Sequence, residues 1–155
     1  MARIDYHNDP DAPAANSLVV GSSAIVVNGE GRILLQRRTD SGNWALPGGT
    51  MDIGETLAHS LIREVKEETG FDVRTDRIVG IYSDPGHVFA YDDGEVRQEF
   101  NICIACTIGG GSLRVSSEST AVEFFAFEDI PTIQMHDSIR TRVRDYLDAS
   151  SPVLR

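Results

Sequence analysis

The stretch from Gly49 to Phe71 constrains the fold of this chain most, because its apolar and its acidic residues both recur at helical spacing. Thr56 is well suited to cap the N-terminus of a helix, and Gly70 to follow its C-terminus in a left-handed conformation. Between them, five apolar residues share one face of such a helix: Leu57, Ala58, Leu61, Ile62 and Val65. The stretch therefore predicts an amphipathic helix that packs against a core.

The same helix carries a cluster of carboxylates. Glu67 lies about 60° to one side of Glu64 and Glu68 about 40° to the other, so all three fall within an arc of about 100°. These like charges repel one another, and we expect no basic side chain to face them. Clustered carboxylate oxygens are the ligands that hard divalent cations prefer. The pattern therefore predicts a site for Mg²⁺ or Mn²⁺ formed by these three residues.

The spacing of these residues resembles the Nudix hydrolase box, G-x5-E-x7-R-E-U-x-E-E-x-G-U, where U is a bulky apolar residue. Every fixed position is filled in this chain, by Gly49, Glu55, Arg63, Glu64, Val65, Glu67, Glu68, Gly70 and Phe71. The resemblance implies a metal-dependent hydrolase that cuts the phosphoanhydride bond of a nucleoside diphosphate linked to another group. It also implies that Glu55 and Arg63 pair with each other as structural support rather than take part in the chemistry.

Strand-like segments surround this helix, and a second helix follows them. The predicted strands are residues 18–27, 32–38, 71–82, 97–107 and 121–127. The first two form a hairpin, residues 109–111 are a flexible glycine-rich connection, and Asp137 is expected to cap the last helix. The apolar stripe of that helix leaves Arg140, Arg142 and Arg144 on its outer face. This order indicates an α+β layered domain. The family resemblance sharpens the prediction to the Nudix α/β/α sandwich, with a mixed β-sheet between helices.

Two short segments before the box are candidates for contacts with substrate and metal. Arg37 and Arg38 close the second predicted strand, and an arginine fork matches the oxygens of a phosphate. Both are therefore candidate substrate-binding residues, and the family resemblance favours Arg38. Gly48 and Gly49 let the backbone approach a ligand closely, so the carbonyl of Gly49 is a further predicted metal ligand.

The loop before the last predicted strand contributes one more acid. The resemblance implies that this loop supplies a metal ligand or a base, five residues before an acidic–aromatic pair. Glu118 stands at that spacing from Glu123 and Phe124. Glu64 and Glu118 are therefore both candidates for the catalytic base that orients a water, and sequence leaves open which one acts and how many metal ions bind.

Composition and charge limit the classes of partner. We expect a mobile or loosely docked arm over residues 1–16 and a single domain over residues 17–155. A net charge of −10 argues against a general nucleic-acid-binding surface, but not against a small phosphate-bearing substrate. The sequence contains no apolar run of about 18 residues, so no membrane span is predicted. A cytoplasmic location is the default expectation. A homodimer remains an open alternative to a monomer.

The cysteines and histidines add no predicted site. Cys103 and Cys106 are three residues apart on a predicted strand, so their side chains point to opposite faces and cannot share a metal. Buried reduced cysteines are therefore expected. His59 and His87 are expected at the surface, with contact to a substrate as the alternative for His87, and no partner is predicted for His7.

Substrate preference rests on a weaker signal. ADP-ribose hydrolases of the family resemble one another in a proline about fifteen positions after the box, and Pro85 is fourteen positions after Phe71. We therefore favour ADP-ribose or a related nucleotide sugar. The alternatives are a (d)NTP pyrophosphohydrolase that sanitises the nucleotide pool and a non-catalytic module that senses a ligand. The complete set of box acids argues against the non-catalytic module.

Overall fold

Two helices lie on opposite faces of a mixed β-sheet in the computed structural model, which describes residues 3–155. In chain order the strands are β1 (Arg3–His7), β2 (Ser17–Leu18), β3 (Gly21–Val27), β4 (Ile33–Arg38), β5 (Trp44–Ala45), β6 (Gly48–Thr50), β7 (Phe71–Tyr82), β8 (His87–Tyr91), β9 (Val96–Gln98), β10 (Asn101–Gly111), β11 (Ser119–Phe125) and β12 (Val153–Leu154). The helices are α1 (Leu57–Thr69) and α2 (Asp137–Asp148), and a 3-10 helix spans Phe127–Thr132. Neither α1 nor α2 is long and apolar enough to cross a membrane.

The main sheet has eight strands and mixed directions. Six strands follow the order β11–β4–β3–β10–β7–β12, while β5 pairs with β4 and β6 pairs with β3. β3 runs parallel to β10, and β7 runs parallel to β12, whereas the other neighbours are antiparallel. The predicted first hairpin is present as β3 and β4. The predicted sandwich with a mixed sheet between helices is therefore confirmed.

Each face of the sheet has its own hydrophobic core. On one face, Leu61 and Val65 of α1 pack against residues that include Val26 and Cys106. On the other face, Val143 of α2 packs in a cluster that includes Cys103. Because neighbouring residues of a strand point to opposite faces, the two free, buried cysteines lie in different cores, as predicted.

The box helix begins and ends where the sequence predicts. The side chain of Thr56 caps α1 by accepting a hydrogen bond from the backbone N–H of His59 at 3.2 Å. Gly70 adopts a left-handed conformation with φ of 82° and donates its N–H to the carbonyl of Lys66, which closes the last turn. Glu68 is buried along with the apolar face of α1, so this acid is held under the helix rather than in solvent.

A second, smaller sheet stands beside the main one, in the order β1–β8–β9–β2. β1 belongs to the segment expected to form a mobile or loosely docked arm, and the expectation of an irregular segment is wrong for residues 3–7. This strand pairs antiparallel with β8 from Arg3 opposite Tyr91 to His7 opposite His87. The side chains of β1 are mostly polar, so its own sequence does not predict a strand. The pairing with β8 determines its conformation. Residues 1 and 2 of the predicted arm lie outside the described residues.

Three smaller predictions are corrected. Residues 109–111 continue β10 by pairing with Phe71 and Asp72 instead of forming a flexible connection. The strand predicted at 97–107 is divided between β9 and β10. His136 caps α2, and Asp137 is its first residue, because the ring of His136 accepts the N–H of Ser138.

Candidate active site

Glu68 is fixed by two hydrogen bonds to one of its oxygens. Its Oε2 accepts the backbone N–H of Gly48 and the side-chain amide of Gln36, both at 2.8 Å. Burial raises the pKa of Glu68 to about 8 despite these donors, and the neighbouring Glu64 carboxylate adds to the shift. The other oxygen, Oε1, receives neither of these hydrogen bonds. Glu68 is therefore held in place through Oε2, and Oε1 can bind a ligand.

Strand β6 brings its glycines directly against the acids of α1. A Cβ added at Gly49 would lie only 2.5 Å from the carboxylate carbon of Glu64, so any larger residue would collide with this acid. Gly48 has a φ of 154° and no room for a side chain beside Ser22. The two glycines are therefore required for the close approach of this backbone to the acid cluster.

Arg63 pairs with Glu55 and also contacts the acid cluster. Its Nε and Nη2 donate to the two oxygens of Glu55 at 2.6 and 2.9 Å, so the pair implied by the family resemblance is present. The expectation that no basic side chain faces the cluster is wrong. Nη1 of Arg63 donates to Glu64 at 2.8 Å and to the exposed Glu67 at 3.4 Å. The hydrogen bond from Arg63 lowers the pKa of Glu55 to about 2.

The two arginines at the end of β4 point in different directions. Arg38 forms a two-pronged ion pair with Asp40, at 2.9 and 2.7 Å, and lines the main cavity. The hydrogen bond to Asp40 raises the pKa of Arg38, and the negative charges of Glu68 and Glu118 contribute. Arg37 instead donates to the carbonyl of Gly42 at 3.1 Å, and no atom of it lines that cavity. Of these two arginines, only Arg38 faces the acid cluster.

Glu118 lies in an exposed turn that is tied to the end of β4. Its backbone carbonyl accepts hydrogen bonds from the N–H and the hydroxyl of Thr39, both at 3.1 Å. The next residue, Ser119, donates its hydroxyl to Oε1 of Gln36 at 2.7 Å. Because the same Gln36 amide donates to Glu68, a buried relay connects the Glu118 turn to the acid cluster.

Two members of this relay, Gln36 and Ser119, were not among the predicted site residues. Both side chains are almost completely buried, at 2% and 7% exposure. Gln36 stands between three apolar residues and two arginines in β4, and Ser119 follows a serine-rich loop. One feature of the sequence does indicate Gln36: an amide side chain in a strand that is predicted to be buried needs hydrogen-bond partners within the protein.

A cavity of about 460 Å³ extends from the glycines of β6 to the small sheet and α2. Gly48, Gly49 and Arg38 line its end near the acids, and Trp44 lines its side. Trp44 is held in place by an edge-on contact with Phe125, with ring centres 4.7 Å apart. The small sheet, α2 and the α2 cap His136 also line the cavity, through Arg3, Asp5, His87, Arg97, His136 and Arg142.

A chain of polar contacts runs from the exposed Asp5 to the buried His87, Glu99 and Arg142. His87 donates from Nε2 to Asp5 at 2.6 Å, and its Nδ1 lies 3.5 Å from Glu99. Glu99 accepts a hydrogen bond from Arg142 at 2.6 Å. The prediction of a surface His87 is wrong, because this residue is 4% exposed beneath the unpredicted β1 strand. Arg142, which was expected on the outer face of the last helix, is 5% exposed.

Asp5, His87 and His136 lie close enough to suggest a metal site, but the cap of α2 argues against it. Their potential ligand atoms lie within 4.8 Å of one another. Nδ1 of His136 accepts the backbone N–H of Ser138 at 3.1 Å, so in the neutral ring the proton is on Nε2. Burial lowers the pKa of His136, which favours this neutral form. Nε2 therefore carries the proton, 4.0 Å from Asp5, and is not available as a metal ligand in this form.

Comparison with known proteins identifies the family. Residues 18–146 match the family model described as the NUDIX domain. A MutT-like protein from Streptomyces ambofaciens is 35% identical over 136 residues, which cover 88% of this chain and 81% of the relative. An ADP-ribose pyrophosphatase from Methanocaldococcus jannaschii is 30% identical over 131 residues, which cover 79% of this chain and 69% of the relative.

Solved structures share the architecture at lower sequence identity. An ADP-ribose pyrophosphatase from Streptococcus suis has a TM-score of 0.67 and 23% identity, covering 90% of this chain and all of that chain. A UDP-X diphosphatase has a TM-score of 0.70 and 20% identity, covering 94% of this chain and 71% of that chain. These likenesses show the fold alone. Because the family model matches most of the chain and the two relatives named above align over 81% and 69% of their length, the protein belongs to the Nudix family and is a Nudix hydrolase.

Proposed function

We propose that this protein hydrolyses the phosphoanhydride bond of a nucleoside diphosphate linked to another group, with ADP-ribose or a related nucleotide sugar as the favoured substrate. The observation that carries the proposal is the acid cluster of Glu64 and Glu68 packed against Gly48 and Gly49 at one end of the cavity. The relative from Methanocaldococcus jannaschii, named an ADP-ribose pyrophosphatase, supports the choice of substrate.

Nudix hydrolases generally use divalent metal ions, and the acid cluster fits such an ion. Glu64, Glu67 and Glu68 would hold Mg²⁺ or Mn²⁺ together with the carbonyl of Gly49. Their oxygens are the hard ligands that these cations prefer, and Glu68 keeps one oxygen free of the Gly48 and Gln36 donors. When bound, the ion would neutralise charge on the diphosphate and lower the pKa of a bound water.

The side chains around the cluster have distinct roles in this proposal. Arg38 donates hydrogen bonds to a substrate phosphate, for which it exchanges part of its contact with Asp40. Arg37 supports the Gly42 turn, although it was also a candidate for phosphate binding. Glu55 holds Arg63, and Arg63 orients Glu64.

Hydrolysis itself requires a base. A water attacks one phosphorus atom, its proton passes to a carboxylate, and the bond to the bridging oxygen breaks so that the second phosphate leaves. Glu64 and Glu118 both remain candidates for this base. Glu64 is half-buried and directed by Arg63, whereas Glu118 is exposed and lies in a turn pinned to Thr39.

Hydrolysis of the alternative substrate class, a (d)NTP, would use the same acids. The reaction products therefore distinguish the two substrate classes, whereas substitutions of the acids would not. The test incubates the purified chain and Mg²⁺ or Mn²⁺ with nucleotide sugars, dinucleotides and triphosphates, and identifies each product by chromatography. We expect the highest kcat/KM for a nucleotide sugar, with ADP-ribose giving AMP and ribose 5-phosphate. Preferential release of pyrophosphate from a triphosphate would contradict the proposed substrate.

A further inference from the structure

Three imidazole rings meet where β1, β8 and the start of α2 come together, and we call this group the histidine cluster: His7, His87 and His136. The ring centre of His7 lies 5.2 Å from that of His87 and 5.4 Å from that of His136. His87 and His136 are stacked with their ring centres 4.9 Å apart and an angle of 11° between their planes. The proposed hydrolysis gives none of these rings a role.

We propose that the histidine cluster makes the first turn of α2 sensitive to pH, because protonation of His136 removes the cap that holds this turn together. The turn is closed at neutral pH and opens in mildly acidic solution. Ser138 and Ile139 of this turn line the cavity, so its opening changes one cavity wall. The inference does not depend on which substrate the protein cleaves.

The cap depends on the lone pair of one ring nitrogen. Nδ1 of His136 accepts the backbone N–H of Ser138 at 3.1 Å and lies 2.8 Å from the hydroxyl oxygen of the same residue. A proton on Nδ1 turns this acceptor into a donor. The hydroxyl oxygen can accept from that donor, but the backbone N–H loses its partner. A positive charge at the N-terminus of a helix also opposes the helix dipole. Protonation of His136 therefore destabilises the turn in two ways.

The surroundings of His136 favour its neutral form in the folded protein. Burial lowers the pKa of His136 below the ordinary value of 6.5, the carboxylates of Asp5 and Asp137 act in the opposite direction, and the neighbouring rings of His87 and His7 lower it further. Since the folded pKa is the lower one, the stabilisation by the cap is present above the unfolded pKa and is lost as pH falls through the folded pKa.

The carboxylates around the cluster are placed closer to the other two rings than to His136. Oδ1 of Asp5 lies 2.6 Å from Nε2 of His87 but 4.0 Å from Nε2 of His136, which is too far for a hydrogen bond. Glu99, just after β9, lies 3.5 Å from Nδ1 of His87, and Asp84, just before β8, lies 3.6 Å from Nε2 of His7. The other charged groups stand behind these carboxylates or on α2: Arg3 beside Asp5, Arg142 beside Glu99, and Arg140 beside Asp137. A charge on His136 is thus the one with no hydrogen-bonded carboxylate to compensate it among the described residues.

Two substitutions at position 136 separate the cap from the proton. His136→Asn keeps a cap, because asparagine accepts the same backbone N–H and does not titrate. His136→Ala removes the cap at every pH. The matched control is His59→Asn, since His59 is exposed on α1, which packs on the opposite face of the sheet from α2.

The test follows the backbone amide of Ser138 by nuclear magnetic resonance from pH 8 to pH 4.5. Its protection against hydrogen exchange is corrected for the intrinsic effect of pH, and the imidazole signals are titrated in the same samples. In wild type and His59→Asn we expect protection to fall about 2- to 30-fold, the range for one lost cap, with the midpoint of the His136 ring. Protection should stay constant in His136→Asn and be low throughout in His136→Ala.

Two results would overturn the inference. The first is the same pH dependence in wild type and His136→Asn, because another group would then open the turn. The second is constant protection of Ser138 in wild type while the His136 ring titrates. If His136→Asn does not fold, the wild-type titration decides alone, since the midpoint of Ser138 protection must coincide with that of the His136 ring and with no other histidine.

Discussion

The amide of Gln36 donates to the same oxygen of Glu68 that accepts the backbone N–H of Gly48, at 2.8 Å in each case. The amide is oriented from its other side, where Oε1 accepts the hydroxyl of Ser119. If the amide were reversed, its oxygen would face the carboxylate and repel it. Ser119 thus determines which end of Gln36 meets Glu68, and Gln36 determines which oxygen of Glu68 is free.

We expect Gln36→Leu to weaken metal binding. Loss of the amide releases Glu68 from its fixed orientation, and substitutions of residues that orient metal ligands typically lower metal affinity about 10- to 100-fold. Ser119→Ala should have a smaller effect of the same sign, because the amide remains but can rotate. Titration with Mn²⁺ by electron paramagnetic resonance measures the affinity directly.

Thr120→Ala, one residue further along β11, serves as the control for these two variants. Its hydroxyl contacts only the backbone carbonyl of Arg37, at an exposed position. An unchanged Mn²⁺ affinity in Gln36→Leu would show that the relay does not orient a metal ligand.

Turnover should require added Mg²⁺ or Mn²⁺ and cease with excess chelator. The physical reason is that the anionic diphosphate must approach the carboxyl groups of the acid cluster, and a divalent cation would compensate the charge of both. Arg63 offsets part of this charge, but it is already engaged by Glu55. The measurement is product formation after the metal content of the protein has been verified as negligible. Full turnover under those conditions would exclude the metal mechanism.

Glu67→Gln and Glu68→Gln should each lower kcat by orders of magnitude and leave the fold intact. Each substitution removes a carboxylate ligand and keeps the side-chain volume, and Glu67→Gln also relieves repulsion along α1. The amide oxygen of Gln at position 68 can still accept the N–H of Gly48. The melting temperature without metal should therefore be equal or slightly higher. Near-normal kcat in both variants at saturating substrate would show that the acid cluster is not the reaction centre.

Glu118→Gln separates the two candidate bases. If Glu118 is the general base, kcat and kcat/KM should both fall about 10²-fold or more, and the acidic limb of the pH–rate profile should disappear. If it is a metal ligand, the metal concentration for half-maximal activity should rise instead. Stability should change little, because the side chain is exposed in a turn. Unchanged kinetics and metal dependence would leave Glu64 as the remaining candidate.

Asp145 should make stability depend on pH in the acid range. Burial alone raises the pKa of Asp145, but hydrogen bonds from Arg155 and Tyr82 outweigh it and hold the pKa below the usual value of 3.8. Since the folded pKa is the lower one, the stabilisation is present above the unfolded pKa and is lost as pH falls through the folded pKa. Asp145→Asn should therefore lower the melting temperature by a few degrees at neutral pH. Thermal unfolding measured from pH 7 to pH 2 should show the melting temperatures of wild type and Asp145→Asn converging below about pH 4. A difference in melting temperature that stays constant over this range would refute the linkage.

The parts of the fold that could be predicted are those encoded in local periodicity. Thr56 and Gly70 are caps with specific side-chain or backbone requirements, so the bounds of α1 followed from residues adjacent in sequence. The same holds for β7, whose predicted range of 71–82 is the observed one. The acids of the cluster were found because they are one helical turn apart.

The rest depended on partners distant in sequence. β1 is specified by β8, about 80 residues away, and without β1 neither the burial of His87 nor its contact with Asp5 could be foreseen. Arg142 looked like one of several outer arginines of α2, and only Glu99 distinguishes it from the exposed Arg144. Long-range pairing of polar groups leaves no periodic signal in either partner.

Because Cys103 and Cys106 lie in different cores, their thiols can report separately on the opening of the two faces of the sheet. Burial raises the pKa of the Cys103 thiol to about 11 and that of Cys106 to about 12, so neither forms an accessible thiolate in the native state. Any alkylation must then follow an opening of the chain that exposes the thiol. Because one sulfur lies beneath α1 and the other beneath α2, the order in which the two are labelled would reveal which helix detaches from the sheet first.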